Sequence, residues 1–477
     1  MTQESRALAA VDTGLTFGVL CYGAVDFASG GVAQRYPAVG LLLVVHLAAL
    51  ALSPVSRLSA THLLSPLNWA LLAFGLHLVG IPALLMVFGP TQGQLPRFPS
   101  ASAMNLAAVL DAVAYVAFLV GVAAYRRFRG DPTRCIRPGN APSNARPYIL
   151  GFGALGVLGL ALRFRSPAGL VDYYSLRGHI GLQELVGFDR IADSAASILL
   201  PALGFAAVLI ACREIDRARV AGSWRSNLRL MFTFLAVAAA FSVYGYNRNS
   251  LLVPLIALMA AYSLSVRRIS IPFLVFLAGT VSAGAISFGI VRAETAREQM
   301  GLPPIRIATL GVAINDQVQI YDSAPQFTAF MLDEGRDKRM YLGGTLLASF
   351  LSPLPVVGRD VRVDSGSAIY NRDIYGSDVS ADQIIPFKGE LFWNFWYPGV
   401  VVGFFCVGIG VARLDRWFRY SRRALTAFVA QFLGIWLSFL TIGSIAILSQ
   451  VVFYFMWPVA VHYLIRWVQS RYLRSAT

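Results

Sequence analysis

Long apolar blocks separated by short polar segments form the pattern of this chain from end to end. Each block is roughly 17 to 25 residues long, the length that a helix needs to cross about 30 Å of hydrocarbon. The first block reads as a retained span, and the last apolar run divides in two, so the pattern predicts twelve membrane-spanning helices. They are expected at residues 11–28, 37–54, 67–89, 104–125, 148–163, 191–212, 228–246, 250–266, 271–291, 396–414, 424–442 and 446–467.

The composition agrees with a chain that lies largely in a membrane. Hydrophobic residues make up 56% of the 477 positions and charged residues only 14%, whereas about a quarter of the residues are charged in a typical soluble domain. Mean hydropathy is +0.61. These values and the apolar blocks together predict an all-α fold, a polytopic transmembrane helical bundle of about twelve helices.

Basic residues are concentrated in the short segments between the predicted spans. The segment 126–147 holds six arginines and one acidic residue, and further arginine groups occur in 213–227, 267–270 and 415–423. Because short cytoplasmic segments carry an excess of Lys and Arg, these segments and both termini are predicted to be cytoplasmic. The net charge of +15 is therefore interpreted as a sign of membrane topology, and no nucleic-acid partner is expected.

This topology divides the chain into three parts. Residues 1–291 contain the first nine spans and a smaller outer loop at 164–190. Residues 292–395 form a large periplasmic or extracytoplasmic loop that is rich in acids and in Gly, Pro and Asp turn signals. Because loops of this length usually carry a function, a folded cap of short helices is predicted there. Residues 396–477 contain the last three spans and the cytoplasmic C-terminus.

Several arginines are predicted on the outer side, against the general trend of the charges. Charge placed against that trend near a membrane is costly and is often functional. A guanidinium group matches phosphate oxygens with two parallel hydrogen bonds, which suits a lipid-linked diphosphate; contact with ordinary lipid phosphates and helix capping are the alternatives. Arg248 stands out because it occupies a cramped turn between Asn247 and Asn249. The other outer arginines are Arg163, Arg165, Arg177 and Arg292.

Candidates for proton transfer lie in the same outer segments. Glu390 precedes the tenth span in IIPFKGELFWNFWYPGVVVGFFCVGIG, and it is predicted either to act as a general base or to pair with an arginine. His179 is the histidine expected on the outer face, with an ordinary solvated role as the alternative. The stretch LLASFLSPLPVVGRDVRVDSGSAIY is typical of a re-entrant or interfacial helix broken by proline. Its charged residues Arg359, Asp360 and Asp364 are further candidates.

Other kinds of site find no support in the sequence. No segment has the spacing of a metal-ligand cluster or of a Walker-type glycine loop, so chemistry without a metal, nucleotide or other cofactor is predicted. The aromatic residues that follow Glu390 are expected at the membrane–water interface, with stacking on sugar rings as the alternative. These residues are Phe392, Trp393, Phe395, Trp396 and Tyr397.

The order of these features resembles a known family. An arginine in a short turn is followed by SLLVPLIAL, then by a long outer loop with SFLSPLP, and then by GELFWNFWYPGVVVGFFCVGIG at the entry to a helix. Over residues 240–412 this order is similar to that of the Wzy-type O-antigen and oligosaccharide repeat-unit polymerases. By position, Arg248 matches the turn arginine of the family, and Glu390 matches the acidic residue before the helix that follows the loop.

The resemblance implies a GT-C-like, nucleotide-independent glycosyltransferase of the bacterial plasma (inner) membrane. Undecaprenyl-diphosphate-linked oligosaccharides would be both donor and acceptor, and the enzyme would join them into O-antigen or a related surface polysaccharide, as in lipopolysaccharide. Membrane lipids, a flippase and a chain-length regulator would be its partners.

The residue types suit that reaction. Diphosphate is a good leaving group, and preorganised arginines stabilise its charge in a water-poor site. The acceptor hydroxyl needs a proton acceptor within hydrogen-bond reach, for which the outer histidine and acids all stay open. Direct displacement with inversion at the transferred carbon is the simplest course. The residues expected in catalysis are Glu390, Arg248 and His179, and those expected to bind the diphosphate are Arg248, Arg292, Arg165 and Arg177.

Two other functions remain as alternatives. An O-antigen ligase uses the same donor but transfers the glycan to a lipid A core sugar, and it has a similar number of spans and a large outer loop. A lipid-linked oligosaccharide transporter typically shows internal repeats and broken helices, and the sequence contains no evident repeat. The polymerase is the preferred interpretation because of the segment 384–410.

Overall fold

All regular secondary structure in the described part of this computed structural model is helical. This confirms the predicted all-α class, because a chain in hydrocarbon must satisfy its backbone hydrogen bonds internally and a helix does so within one segment. The structure describes residues 3–59, 62–88, 99–129, 145–164, 166, 169, 190–221, 224–242, 248–276, 279–280, 324–335, 340–354, 357–375 and 385–475.

The helices of the N-terminal half follow the predicted apolar blocks. Prolines at positions 37, 66 and 201 each begin a helix, since the first turn tolerates a missing N–H group. A π-helical turn, Leu76–Gly80, joins the fourth helix to the fifth. The bounds are α1 Gln3–Ala28, α2 Val32–Arg35, α3 Pro37–Leu52, α4 Pro66–Gly75, α5 Ile81–Phe88, α6 Ala101–Arg129, α7 Arg146–Phe164, α8 Arg190–Leu199, α9 Pro201–Ala221, α10 Trp224–Ser242 and α11 Arg248–Ser265.

The described C-terminal half contains short helices followed by long ones. A π-helical turn, Val451–Phe455, lies between the last two helices, and 3₁₀ turns occur at Arg362–Asp364 and Phe439–Thr441. The bounds are α12 Ala324–Gly335, α13 Gly344–Leu351, α14 Val357–Val361, α15 Gly366–Tyr375, α16 Phe387–Arg419, α17 Ala424–Ser438, α18 Ile445–Gln450 and α19 Trp457–Ser475.

The chain has the helices of a multi-pass membrane protein. Within the described residues, seven helices are long and apolar enough to cross a membrane, or eight if one bent pair forms a single span. The members of that pair, Ile445–Phe455 and Trp457–Gln469, meet at 47°. The seven are Arg6–Ala28, Pro66–Val87, Ala101–Arg129, Arg146–Phe164, Ala195–Val220, Phe387–Arg419 and Ala424–Thr441.

The count of twelve spans stays a prediction. Three of the predicted spans coincide with shorter apolar helices, Pro37–Leu52, Leu228–Ser242 and Leu251–Ser265. The predicted span 271–291 lies mostly outside the described residues. The difference between seven and twelve therefore comes from three helices too short to cross about 30 Å of hydrocarbon upright, from the bent pair, and from a segment that the structure does not describe.

Helices α6 and α16 form the central crossing of the bundle. Their backbones touch at two glycines: a Cβ atom on Gly121 would lie 2.2 Å from the carbonyl oxygen of Phe405, and one on Gly408 would lie 2.2 Å from that of Phe118. Small residues at such a crossing let membrane helices gain close van der Waals contact. This crossing is part of one of the two large apolar cores, and the other core surrounds α9, α11 and α17.

Arginines are concentrated at one end of the bundle, here called the basic end. The carboxylate of Asp415 lies 2.8 Å from Arg419 Nε and 3.8 Å from an amino group of Arg126. The ion pair with Arg126 joins the C-terminal turns of α6 and α16. The backbone N–H of Leu67, in the first turn of α4, donates to the same carboxylate at 3.4 Å. Two of the arginine clusters that were predicted to share one side of the membrane, at the start of 126–147 and in 415–423, therefore meet in space.

The opposite end, here called the capped end, is covered by short helices from the long predicted loop. Asp333 of α12 accepts hydrogen bonds from the N–H and the hydroxyl of Ser100, both at 2.6 Å, at the start of α6. After α13, the carbonyl of Pro353 accepts a hydrogen bond from the Tyr454 hydroxyl at 2.7 Å. The described helices of the predicted cap are thus anchored to the bundle.

Helix α16 is broken near its start and folds back on itself. Trp396 has φ 55° and ψ −151°, a region occupied almost only by glycine, and Pro398 removes one helical hydrogen bond just beyond it. The rings of Phe387 and Phe404 are 5.8 Å apart, although a straight helix would separate these residues by about 25 Å. Residues 387–395, here called the re-entrant segment, therefore run back beside the long arm of α16.

The glycine crossing predicts a strong asymmetry between two alanine substitutions. Gly121→Ala would push a methyl group against the backbone of α16, and we expect a loss of about 1–3 kcal/mol of stability from overpacking. Gly151→Ala in α7 has no atom within 4 Å of the new methyl group, and its higher helix propensity would add up to about 1 kcal/mol. Thermal melting in detergent measures both, and equal melting of the two variants would contradict the close crossing.

Candidate functional site

The re-entrant segment carries two buried charged residues on opposite faces. Lys388 is 2% exposed and Glu390 is 0% exposed. Two positions along a helix correspond to a rotation of about 200°, so the two side chains leave the segment in opposite directions. Lys388 faces α6, and Glu390 faces the helices of the cap.

Glu390 is held by α13 and covered by the start of α15. The Ser349 hydroxyl donates to Glu390 Oε1 at 2.8 Å and itself accepts a hydrogen bond from the Gly366 N–H at 3.2 Å. A Cβ atom on Gly366 would lie 2.4 Å from Oε1, so only glycine allows this close approach. Glu390 Oε2 has no hydrogen-bond partner among the described residues. The carboxyl group thus keeps one oxygen for another partner.

Asn394, one turn beyond Glu390, fixes the segment to α13. Its side-chain N–H₂ group donates to the Glu390 carbonyl at 2.7 Å and to the Thr345 hydroxyl at 2.6 Å. Its side-chain oxygen accepts a hydrogen bond from the N–H of Gly343 at 2.8 Å. The hydrogen bonds to Thr345 and Gly343 join the re-entrant segment to the start of α13, in which Ser349 lies opposite Glu390.

On the other face, Lys388 forms an ion pair with Asp111, which is 3% exposed. Asp111 lies ten residues from the start of α6, about 15 Å into the bundle from the capped end. Its second oxygen and both ring nitrogens of His77 have no hydrogen-bond partner among the described residues. With Thr441 they line a small pocket. His77 belongs to the π-helical turn, a distortion that is frequent at functional sites.

Among the described residues, no arginine pairs with Glu390. Its carboxylate accepts a hydrogen bond from Ser349 instead. Asp360 and Asp364 are exposed on the cap and do not join Glu390. Arg359 is part of α14, but its side chain lies outside what the structure describes. His179, Arg165, Arg177 and Arg292 also lie outside the described residues.

Arg248 is the first residue of α11, and its side chain lies outside the described part of the chain. Helix α11 has eighteen residues and is about 27 Å long.

Two of the predicted interfacial aromatics are instead core residues. Phe392 and Trp393 are 8% and 5% exposed, because the re-entrant segment is enclosed by the cap and the long arm of α16. The Trp393 indole N–H donates to the Met331 carbonyl of α12 at 3.1 Å. The three aromatics that follow are exposed: Phe395, Trp396 and Tyr397.

Sequence reasoning missed the Asp111–Lys388 pair and its neighbour His77. A signal was present for two of these residues, because an acid and a histidine inside apolar blocks are rare and mark interior sites. Lys388 carried no such signal, since it lies in the segment that the sequence analysis assigned to the long outer loop.

Comparisons with protein-family models, with characterised proteins and with solved structures found no match to the chain.

The buried pair predicts a large stability difference between single and double replacements. Lys388→Met or Asp111→Leu alone leaves an unpaired buried charge, and we expect each to lower stability by about 3–5 kcal/mol. The double variant removes both charges and should melt close to the unchanged protein. Melting in detergent, followed by intrinsic fluorescence, measures the stability of the unchanged protein, of the two single variants and of the double variant. Additive losses in the double variant would show that the two side chains do not interact.

Proposed function

We propose that this protein polymerises undecaprenyl-diphosphate-linked oligosaccharide repeat units into a surface polysaccharide, such as O-antigen, by glycosyl transfer at its capped end. That end would face the outer side of a bacterial plasma membrane, with both termini cytoplasmic and the predicted twelve spans arranged in a GT-C-like bundle. The proposal makes the chain a metal-independent, inverting glycosyltransferase.

The observation that carries the proposal is the hydrogen bond between Ser349 and Glu390. The two residues lie in the two segments, SFLSPLP and GELFWNFWYPG, on which the resemblance to the polymerases rests. They are 41 residues apart in sequence and 2.8 Å apart in space. A contact between the two segments supports a shared role in one site.

Glu390 is assigned the general base in this proposal. A carboxylate with one unpartnered oxygen in a water-poor site is suited to accept the proton of the acceptor hydroxyl. The exposed acids Asp360 and Asp364 are solvated instead. Because Glu390 is fully buried, the start of α15 at Gly366 has to move away when a sugar hydroxyl approaches.

Arg248 is assigned the role of binding the diphosphate. Arg165, Arg177 and Arg292 are further candidates for this role. Arg248 is the first residue of α11; with α11 beginning at the capped end, as this proposal requires, its positive side chain would add to the positive end of the helix dipole there. Both stabilise the negative charge that develops on the leaving diphosphate. Nucleotide binding is not required, since the lipid diphosphate supplies the leaving group.

Substitution of Arg248 tests the diphosphate assignment. Arg248→Ala is expected to abolish polymer while the protein level stays unchanged, and Arg248→Lys is expected to lose much of the activity because one ammonium cannot replace a bidentate fork. Surface glycan resolved on a gel, beside immunoblots of the protein, measures both. Normal polymer length and amount in the alanine variant would exclude the assignment.

A second candidate, a transporter of lipid-linked oligosaccharides, is favoured by the broken helices. Transporters place discontinuous helices and buried charges inside the bundle, and here α16 is broken at Trp396 beside the Asp111–Lys388 pair. The same gel, from cells with and without the gene, separates the functions. Loss of a polymerase leaves single repeat units attached to the surface core, whereas loss of a transporter leaves the surface core without repeat units, since these stay on the cytoplasmic face. Full-length polymer on undecaprenyl diphosphate would indicate a ligase.

A further inference from the structure

The basic end contains a pocket that the proposed reaction does not use. It lies between the C-terminal turns of α6 and α16 and is open to the surface. Four arginines and one acid line it: Arg126, Arg129, Arg416, Arg419 and Asp415. These side chains converge from two different helices on one space, which distinguishes them from arginines scattered along a membrane surface.

Among the described residues, the lining of this pocket carries more positive than negative groups. Asp415 lies close to Arg419 and Arg126, and its carboxylate also accepts the Leu67 N–H. Arg416 donates to the backbone carbonyl of Arg129 at 3.2 Å, and within the described residues neither of these two arginines has a carboxylate partner. Four positive groups around one negative group repel one another, and an anion between them would relieve that repulsion.

The depth of the pocket indicates what kind of anion reaches it. Both helices that form it are long apolar helices of span length, and the pocket lies at their ends. Tyr125 and Tyr420 line it as well, and Trp417 is 44% exposed with the Arg413 guanidinium 5.0 Å from its ring centre. Tyrosine and tryptophan concentrate at the level of lipid headgroups. The pocket therefore opens where phospholipid phosphates lie.

We infer that this pocket binds the phosphate group of an anionic phospholipid, which then ties α6 to α16 at the basic end. Guanidinium groups from two helices suit the phosphate oxygens in geometry and charge, and basic pockets between membrane helices are typical headgroup sites. A free phosphate ion presents the same oxygens but lacks the acyl chains that hold a lipid at this depth. The site is independent of the proposed polymerase activity.

The test is lipid-dependent melting of the full-length protein in a neutral detergent. Phosphatidylglycerol is expected to raise the melting temperature in a saturable manner, and phosphatidylcholine with the same acyl chains is not. The double variant Arg126→Gln/Arg416→Gln is expected to weaken the apparent affinity for phosphatidylglycerol about tenfold or more, since hydrogen bonds to charged groups are lost. Each variant is compared with itself without lipid, so a less stable variant still reports its own response.

The matched control is Arg127→Gln/Arg422→Gln, which removes two exposed arginines at the same end that do not line the pocket. An affinity within twofold of the unchanged protein is expected there. Equal weakening in both double variants, or an equal response to phosphatidylcholine, would overturn the site. Inorganic phosphate alone serves as a third probe, and a melting shift as large as that given by phosphatidylglycerol would overturn the lipid assignment.

Discussion

The ion pair between Lys388 and Asp111 is the interaction on which the arrangement of the capped end depends. Both groups are buried about 15 Å inside the bundle, where an unpaired charge would cost several kcal/mol. The pair is satisfied only when the re-entrant segment lies beside α6. It therefore selects one position for residues 387–395 from the many that an amphipathic stretch next to a glycine-rich bundle could adopt.

Everything on the other face of the segment follows from that position. With Lys388 fixed on α6, the neighbouring Glu390 must point to the cap, where Ser349 and Gly366 receive it. Asn394 then aligns α13, and the strained turn at Trp396 returns the chain to the long arm of α16. Backbone strain of this kind persists only where surrounding contacts over-determine it, and here contacts on both faces do so.

The parts of the fold predictable from sequence were those that depend on local pattern. Apolar length located the helices, and arginine excess correctly grouped the ends of α6 and α16, because both signals reside in consecutive residues. Glu390 stood out as an acid beside an apolar helix. The fold-back at Trp396 and the pairing of Lys388 with Asp111, 277 residues away, arise from tertiary contacts. No local pattern encodes such contacts, so Phe392 and Trp393 were misplaced at the interface.

The re-entrant segment lies at one end of the bundle, and the arginine pocket lies at the other. Between them, α6 and α16 approach each other closely at Gly121 and Gly408. A close crossing of this kind suits the proposed reaction, in which Glu390 is held near the acceptor hydroxyl and Arg248 near the lipid diphosphate, since catalysis by preorganised groups needs little rearrangement at the moment of reaction. The cap over Glu390 is then the part that has to open.

The most direct test of the central claim is a reconstituted reaction. The purified protein in lipid nanodiscs would be incubated with undecaprenyl-diphosphate-linked repeat units, beside the variants Glu390→Gln and Asp364→Asn. The account predicts a ladder of polymer with the unchanged protein and with Asp364→Asn, and a rate at least about a hundredfold lower with Glu390→Gln, although that variant keeps an oxygen for Ser349. A ladder that Glu390→Gln leaves unchanged would contradict it.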